Sequence, residues 1–265
     1  SGEVLAALIL RMNNMEWSTD SGIAYQRYVR DVKSKSELIK MPTLSLEGAL
    51  CKEISFSEAG KIILEYEWLG TMGLTQTFFG VYLDGVLSGA VAFGFFQAMN
   101  KSKYQKFIGE KYKDHGCQLT RGASAYWAHP HTGSMLIGFS LKEMGNKGYK
   151  YAIAFSDPDA GEIGTLYQAT NWFYIGSTKD RHWDIYNKKS GTCVLNDRDA
   201  FKQMGFRGRN KLLEYISDKP DLELRERKPK ARYIKPIGTK KENKEMLKYL
   251  IPHSKPYPKR KENLI

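Results

Sequence analysis

A carboxylate beside a proline, at the end of an apolar run, is the first place where this sequence could carry chemistry. Asp157 follows the apolar run 149–156 (YKYAIAFS) and precedes Pro158. Ligands of open α/β sheets bind at the carboxyl ends of strands, so Asp157 is expected to act as a general base or to hold a donor amine. An Asp-Pro pair is also typical of a turn, and this second interpretation stays open.

Arg121 and the segment 129–134 (HPHTGS) form a second group that could bind an anion. Arg121 ends a strand-like pattern, where a guanidinium can clamp a phosphate or a carboxylate. The segment precedes a helical pattern in which Thr132 or Ser134 is the expected N-cap, and backbone N–H groups at a helix start bind phosphate. A plain capped helix start explains the same residues equally well.

His129 and His131 could also supply two ligands to a metal ion. Imidazole is the commonest metal ligand, but two ligands two residues apart need a third from elsewhere in the chain. Asp157 is the expected third ligand. Two histidines in a surface turn are the alternative.

Two aromatic segments could contact a substrate. Glu67 and Trp68 lie in EYEWLGTM and are expected to line an acceptor pocket, or else to form a helix end with a buried Trp. A later segment offers a hydroxyl, an amide and an aromatic platform, a set that suits adenine recognition as well as ordinary helix packing. Its members are Tyr167, Asn171 and Trp172.

An alternation of helices and strands must position these residues. A helix over 56–70 is expected to begin at Ser55 or Ser57 and to end at Gly70, and Asp84-Gly85 between two β-rich runs predicts a hairpin. A polar insertion follows over 101–116. After it, the pattern predicts a strand over 117–128, a helix over 133–148, a strand over 149–157, a helix over 162–172 and a strand over 173–179.

This order predicts an α/β fold with a mixed sheet flanked by helices, and it resembles the GNAT (acyl-CoA N-acyltransferase-like) architecture. In GNAT proteins that bind CoA, a Gly-rich loop at the start of the helix after the central strand cradles the pyrophosphate. The segment 129–134 contains a single glycine, Gly133, which argues against acetyl-CoA as the cofactor.

The chain of 265 residues carries a formal net charge of +12, and most of this charge lies at the carboxyl end. Residues 225–265 contain fourteen Lys and Arg against four Glu. The prolines of this tail argue against a long helix, and Tyr233, Tyr249 and Tyr257 are interleaved with the cations, as in segments that grip phosphates and stack on bases. A solubilising tail is the alternative to DNA contact; the expected contact residues for double-stranded DNA are Arg225, Arg227, Lys228, Lys230, Arg232, Lys235, Lys240, Lys241, Lys259 and Arg260.

Composition sets the remaining expectations. No run of about 18 apolar residues exists, so no membrane contact is expected. Three well-separated cysteines indicate a reducing, cytoplasmic location. The expected organisation is an N-terminal helical arm over 1–45, a GNAT-like catalytic core over 46–200 and a basic nucleic-acid-contacting extension over 201–265.

Several segments together resemble the Mom family of phage DNA-modification proteins. The most specific is FSDPDAGEIGTLYQATNWFYIG, supported by EYEWLGTM, GVYLDGVLSGAVAFG, LTRGASAY, TGSMLIGFSL and the closing RYIKP to PYPK region. The resemblance covers about residues 55–260. It implies a GNAT-like fold, a carbamoylmethyl-type modification of the N6 amine of adenine in DNA, protection from host restriction, and an iron requirement that has been proposed for the family.

The resemblance also implies roles for individual residues. The positions that match the family's strand-end Arg, its helix-start Ser and its Asp-to-Asn block are Arg121, Ser134, Asp157, Tyr167, Gln168 and Asn171. One departure concerns the end of the first helix, where family members often carry His-Tyr and this chain has Glu67-Trp68. That departure puts the family's metal or substrate contacts at this position in question.

The expected activity is therefore a Mom-like transfer to adenine in DNA. The target base must leave the stack, and Trp172, Trp68 or Tyr126 is expected to stack on it. Asp157 would accept a proton from the exocyclic amine or position the donor, and Arg121 and Ser134 would orient the donor. The alternatives are a CoA-dependent N-acetyltransferase for a small-molecule or protein amine, and a nucleic-acid-binding module without catalytic activity.

Overall fold

The computed structural model describes residues 44–95, 101–179, 181–206 and 208–259 of the chain. The predicted arm over 1–45 lies outside the described residues apart from its last two positions, and so does Arg260. The described residues form two compact units: one holds those up to 155, 164–176 and those from 232 onward, and the other holds 156–163 and 177–231. Within the described part of the chain, no helix combines the length and the apolar character needed to cross a membrane.

The described chain contains ten strands and seven α-helices. The strands are β1 (Leu50–Glu53), β2 (Thr77–Leu83), β3 (Val86–Phe95), β4 (Gly116–Ser124), β5 (Tyr151–Ser156), β6 (Phe173–Ser177), β7 (Trp183–Asn187), β8 (Cys193–Leu195), β9 (Leu222–Glu226) and β10 (Ala231–Pro236). The helices are α1 (Phe56–Tyr66), α2 (Lys101–Ile108), α3 (Thr132–Asn146), α4 (Thr165–Ala169), α5 (Asp197–Met204), α6 (Arg209–Ile216) and α7 (Lys240–Leu250).

The first unit is built on a seven-stranded sheet in the order β1-β2-β3-β4-β5-β10-β6. The strands from β1 to β4 are antiparallel, and β4 pairs with β5 in parallel. Helices α1 and α3 pack against β2, β3 and β4. Helices α2 and α7 pack together and share a buried core with β5, β6 and β10. The predicted α/β fold with a mixed sheet flanked by helices is confirmed.

Local chemistry explains the elements that lead into this sheet. Asp84 and Gly85 both adopt positive φ, +48° and +78°, which is the backbone of a tight hairpin between β2 and β3. Ser55 caps α1 in a reciprocal arrangement with Glu58, as one of the two predicted N-caps. The helix ends at Tyr66, earlier than the predicted stop at Gly70.

The segment 101–116 is not the predicted polar insertion. It contains α2 and a short 3-10 helix, and it buries Tyr104, Phe107, Ile108 and Tyr112 in the core. The first three of these lie at i, i+3 and i+4, so they form a narrow stripe on one helix face. The segment contains more lysines and other polar residues than apolar residues, so its composition alone indicates a polar insertion.

The carboxyl-terminal region is also not an extension. Strand β10 is inserted between β5 and β6, and α7 is an eleven-residue helix. The prolines do not prevent this helix because Pro236 ends β10 and Pro252 follows α7, and a capping box of Thr239 and Glu242 starts it. Tyr233 is completely buried and cannot stack on a base.

The second unit contains a three-stranded antiparallel sheet in the order β8-β7-β9. Helices α5 and α6 contribute to its small core, which includes Ile185, Leu195, Ala200 and Leu212. The compact units therefore divide the chain differently from the predicted 46–200 core and 201–265 extension. Residues 201–231 belong to the second unit, and the described residues from 232 onward belong to the first.

Candidate functional site

The strand that carries Arg121 is irregular at that residue. The pairing of β3 with β4 shifts between Ala92 and Phe93, because Thr120 is an additional residue in β4 and forms a β-bulge. The parallel pairing of β4 with β5 ends at Leu119. Beyond it, the described residues of β4 no longer pair with β5. The bulge and the diverging strands leave a backbone edge to which a ligand can bind.

Arg121 holds the connection between α1 and β2 against this bulge. Its Nε and Nη2 donate to the carbonyl and the hydroxyl of Thr71, at 2.7 and 3.2 Å, and Nη1 donates to the Thr120 carbonyl at 2.7 Å. Gly73, at φ +64°, lies so close that an added Cβ would be 2.9 Å from Nη2. Arg121 therefore positions this connection. Its role as an anion clamp stays a prediction.

Glu67 and Trp68 start the same connection. Glu67 is buried at the carboxyl end of α1, and its Oε2 accepts the N–H groups of Leu69 at 2.6 Å and Gly70 at 3.2 Å. These bonds close a tight turn, which agrees with the helix-end interpretation. Trp68 is half-buried. Substrate contact by these two residues stays a prediction.

The start of α3 differs from the predicted capped start. His131 is the N-cap and makes no side-chain capping bond, and Ser134 Oγ donates back to the His131 carbonyl at 2.9 Å. The reason is that His131 itself has φ −89° and ψ 0°, so no extended residue precedes the helix to offer a side-chain acceptor. Thr132 is completely buried, and its Oγ1 has no hydrogen-bond partner among the described residues.

The same helix start does not fit the pyrophosphate of CoA. A phosphate cradle needs several backbone N–H groups open to the ligand. A Cβ added to Gly133 would lie 3.2 Å from both methyl carbons of Leu166, so this side chain covers the only glycine of the segment. The position of Leu166 therefore adds a structural reason to the sequence expectation against acetyl-CoA.

The two histidines at this helix start lie side by side. The ring centroids of His129 and His131 are 5.3 Å apart, and Nδ1 of His129 accepts the N–H of His131 at 3.1 Å. Among the residues that the structure describes, no three His, Cys, Asp or Glu side chains come together as a metal site. The described side chains therefore do not fit the iron site that the resemblance implies, and we derive no step through iron.

Two of the four predicted residues at α4 contact Tyr233. Tyr167 is half-buried and its ring makes tilted contacts with Trp172 and Tyr233, both at 5.2 Å between centroids, and Gln168 Nε2 donates to Tyr233 Oη at 3.4 Å. Asn171 is exposed and has φ +57°, so it ends the helix in the left-handed conformation. Trp172 is completely buried, and the expectation that it stacks on an extruded base is wrong for this structure.

Tyr126 is also an unsuitable platform. Its side chain is buried and makes edge-to-face contacts with Tyr66 and Trp127, at 6.4 and 4.8 Å between centroids. Burial raises the pKa of Tyr126. Of the three aromatic residues expected to stack on a base, Trp68 alone has substantial exposure.

Asp157 belongs to the second unit, where it follows β5. Its Oδ1 accepts the N–H of Asp159 at 3.1 Å and caps a short 3-10 helix, as in the turn interpretation. Its Oδ2 lies 2.9 Å from Lys230 Nζ and 3.3 Å from Arg227 Nη2. A carboxylate held by two cations can act as a base only when at least one of them moves away. The catalytic role of Asp157 stays a prediction.

Other predicted DNA-contact residues of the second unit also have acidic partners. Arg227 Nε lies 3.4 Å from Asp184 Oδ2, and burial raises the pKa of Asp184. Lys228 Nζ lies 3.9 Å from Asp159. Arg225 pairs with a neighbouring glutamate and lies over an aromatic ring. These cations are partly neutralised within the protein.

Two predicted DNA-contact residues of the first unit bind backbone carbonyls. Lys235 Nζ donates to the carbonyls of Thr170 and Asn171, both at 3.0 Å, and burial lowers the pKa of Lys235. Arg232 is half-buried and donates to two carbonyls of β6 at 3.3 and 3.4 Å. Both side chains therefore hold the sheet and the end of α4.

The remaining described cations of the prediction are exposed: Lys240, Lys241 and Lys259. Sequence reasoning missed two more exposed lysines of α7, Lys244 and Lys248. The spacing of Lys240, Lys244 and Lys248 at i, i+4 and i+8 is the signal that could have found them.

A cavity of about 350 Å³ in the first unit is separate from the bulge of β4. It lies between α3, the end of α4 and β10, and its lining residues are Gly138, Leu141, Lys142, Thr170, Lys235 and Ile237. Lys235 is the only predicted site residue in this lining, so the cavity does not identify the reaction site.

Comparison with known sequences gives one family. The chain matches the Mom protein family over residues 49–259. No curated protein gives a significant match.

Several solved structures share low similarity with the chain. An N-acetyltransferase from Staphylococcus aureus Mu50 is 16% identical, with a TM-score of 0.33, and the match covers 61% of this chain and 67% of that one. A GNAT family acetyltransferase from Elizabethkingia anophelis with acetyl-CoA bound is 11% identical, with a TM-score of 0.39, and the match covers 71% and 97%. An IAA acetyltransferase from Bacillus cereus ATCC 14579 is 8% identical, with a TM-score of 0.38, and the match covers 71% of this chain and 99% of that one. These scores are too low to support an argument.

Proposed function

Since the chain belongs to the Mom protein family, we propose that it is a transferase that modifies adenine in DNA at the exocyclic N6 amine. The group added is of the carbamoylmethyl type, and the modification protects the DNA from host restriction. The observation that carries a transfer reaction is the bulge of β4 together with the loss of its pairing with β5 beyond Leu119. A strand edge of this kind can hold an extended donor by backbone hydrogen bonds.

The residues of the first unit suggest how the substrate is held. The exocyclic amine is inaccessible within a duplex, so the base must be extruded. Of the three aromatic residues predicted to stack on the base, Trp68 has the exposure to do so. Trp68 lies in the connection that Arg121 holds. Ser134, at the start of α3, is half-buried and is proposed to orient the donor.

Proton transfer has a candidate in Tyr167. A bond forms between N6 and a carbon of the donor, the bond from this carbon to the leaving group breaks, N6 loses a proton, and the departing group gains one. A half-buried hydroxyl can supply the latter proton. The ring contacts of Tyr167 with Trp172 and Tyr233 would fix its ring. Asp157 is the base expected from the sequence, and its two cationic partners must then release it.

Nucleoside mass spectrometry of DNA from cells that express the protein tests this proposal. Wild-type protein should yield a modified deoxyadenosine whose added mass identifies the group. Tyr167→Phe removes only the hydroxyl and should abolish the product. Tyr174→Phe is the matched control, because the Tyr174 ring also contacts Tyr233, at 5.5 Å between centroids, and this variant should retain the product. Unmodified DNA from the wild-type expression, with the protein folded, would refute the proposal.

The diverging strands also favour a second candidate, a CoA-dependent N-acetyltransferase for a small-molecule or protein amine. The single, covered glycine at the start of α3 argues against it. Turnover of acetyl-CoA on an amine, with DNA left unmodified, would favour this candidate over the first.

A further inference from the structure

Helix α7 presents a row of lysines whose charges the protein does not neutralise. Lys240, Lys244 and Lys248 are exposed and lie one helical turn apart, and Lys241 is exposed beside them. Within the described chain, none of the four forms an ion pair, since the pairs of this region involve other cations. These lysines are therefore available to an external anion.

The two acids of α7 do not compensate the row. Glu242 pairs with Lys150 at 2.8 Å, and Glu245 pairs with Lys111 at 3.0 Å. Both carboxylates thus already face a cation of the protein, and the pKa of Glu242 is lowered to about 2 by its hydrogen bonds to Lys150 and the Thr239 backbone. Glu245 also interacts electrostatically with Lys241, whereas the ion pairs of both acids are with lysines outside the row of Lys240, Lys244 and Lys248.

Helix α2 carries two further exposed lysines. It packs against α7, and Lys103 and Lys106 on it are exposed. The apolar residues of both helices are buried in one core, which includes Met246 and Leu250 with no exposed area. We call Lys103, Lys106, Lys240, Lys241, Lys244 and Lys248 the lysine face. Its lysines belong to two helices that pack together over a shared core.

The geometry and charge point to the sugar-phosphate backbone of double-stranded DNA as the ligand of the lysine face, and we propose this contact as the one that holds the substrate duplex. The proposal rests on the proposed function for the identity of the polyanion. The helical rise separates Lys240 from Lys248 by about 12 Å, which corresponds to three to four base steps along a duplex axis at about 3.4 Å each. Lysines act as point charges, so this contact is independent of base sequence.

The test is the salt dependence of duplex binding by the full chain. The variant Lys240→Gln/Lys244→Gln/Lys248→Gln keeps residues that favour a helix and removes three charges. The control is Lys61→Gln/Lys179→Gln/Lys202→Gln, which removes three charges from exposed positions elsewhere. The probe is a fluorescent 20-base-pair duplex, titrated between 50 and 200 mM salt, with circular dichroism to verify folding.

The expected change follows from counterion release. Each lost phosphate contact lowers the slope of log affinity against log salt by about 0.9, so the α7 variant should lose about 2.7 from the slope. When the salt rises fourfold, the factor by which the affinity of the α7 variant falls should therefore be about 40 times smaller than the factor for the wild type. The control should keep the wild-type slope. Equal slopes for the α7 variant and the wild type, or equal losses in both variants, would overturn the proposal.

Two further measurements separate this inference from the proposed function. Polyglutamate of equal charge should compete poorly with the duplex, and equally strong competition would overturn DNA as the ligand. Nucleoside mass spectrometry on the wild type reports on the modification alone. A modified base with an unchanged slope in the α7 variant would refute the lysine face and leave the function. A reduced slope without any modified base would refute the function and leave the lysine face.

Discussion

Substitution of Arg121 should destabilise the first unit as well as abolish activity. Its guanidinium makes three hydrogen bonds, of which the two to Thr71 tie the α1–β2 connection to β4 and the third holds the guanidinium on the Thr120 carbonyl within β4. Each such bond contributes about 0.5–1.5 kcal/mol net, so Arg121→Ala should lower the free energy of unfolding by about 2–3 kcal/mol. Arg121→Lys keeps the charge and one donor but loses the planar fork, and should cost about 1–2 kcal/mol.

Denaturant unfolding measures the stability of these variants, and nucleoside mass spectrometry measures their activity. Arg225→Ala is the control, because an exposed ion pair contributes at most about 1 kcal/mol. If Arg121 acts by positioning the connection, Arg121→Lys should lose most of the product although its charge is retained. Hydrogen exchange of the amides of Leu69 and Gly70 should also increase in both Arg121 variants.

Two results would refute this reasoning. Unfolding of Arg121→Ala within about 0.5 kcal/mol of the wild type would show that the hydrogen bonds to Thr71 do not hold the connection. Full activity of Arg121→Lys would show that charge alone matters, which is the behaviour of an anion clamp.

Three further predictions concern other parts of the chain. Gly164→Ala should lower the free energy of unfolding by about 2–4 kcal/mol in denaturant titrations, because Gly164 has φ +75° and the added Cβ would lie 2.5 Å from the ring of Tyr233. The carboxylate of Glu242 has a lowered pKa of about 2, so its contribution to stability is present above the ordinary value of 4.5 and is lost as the pH falls toward 2. The thermal unfolding midpoint of Glu242→Gln should therefore lie below that of the wild type at pH 7, and the two midpoints should approach each other near pH 2. Asp157→Asn should abolish the modified base in mass spectrometry and also reduce thermal stability, because it leaves two cations without their shared charge; unchanged modification would remove it from the site.

The sequence predicted those elements whose chemistry is local. The hairpin at Asp84-Gly85 needs positive φ at two adjacent positions, and the sequence offers residues that tolerate it. The start of α1 needs Ser55 and Glu58 three residues apart. The mixed α/β fold followed from the order of such elements, because order constrains which strands can be neighbours.

Features that depend on distant partners could not be predicted. Nothing near Tyr233 in the sequence indicates that β10 enters the sheet between β5 and β6, since a buried central strand gains its partners only in the fold. The fully buried Trp172 has the same sequence context as an exposed stacking platform would have. The predicted cap at Thr132 failed because the backbone of His131 is already nearly helical, which residue types alone do not reveal.

The charge of the carboxyl-terminal region illustrates why the number of cations is a poor measure of affinity for a polyanion. Arg227, Lys230 and Lys235 belong to a region that appeared uniformly basic, yet each is held by carboxylates or carbonyls of the protein. A cation in this situation must break an internal contact before it can bind a phosphate, so its net contribution to DNA affinity is small. The lysines of α7 bear no such cost. Affinity for a duplex should therefore depend on the charge of α7 far more than on the net charge of the chain.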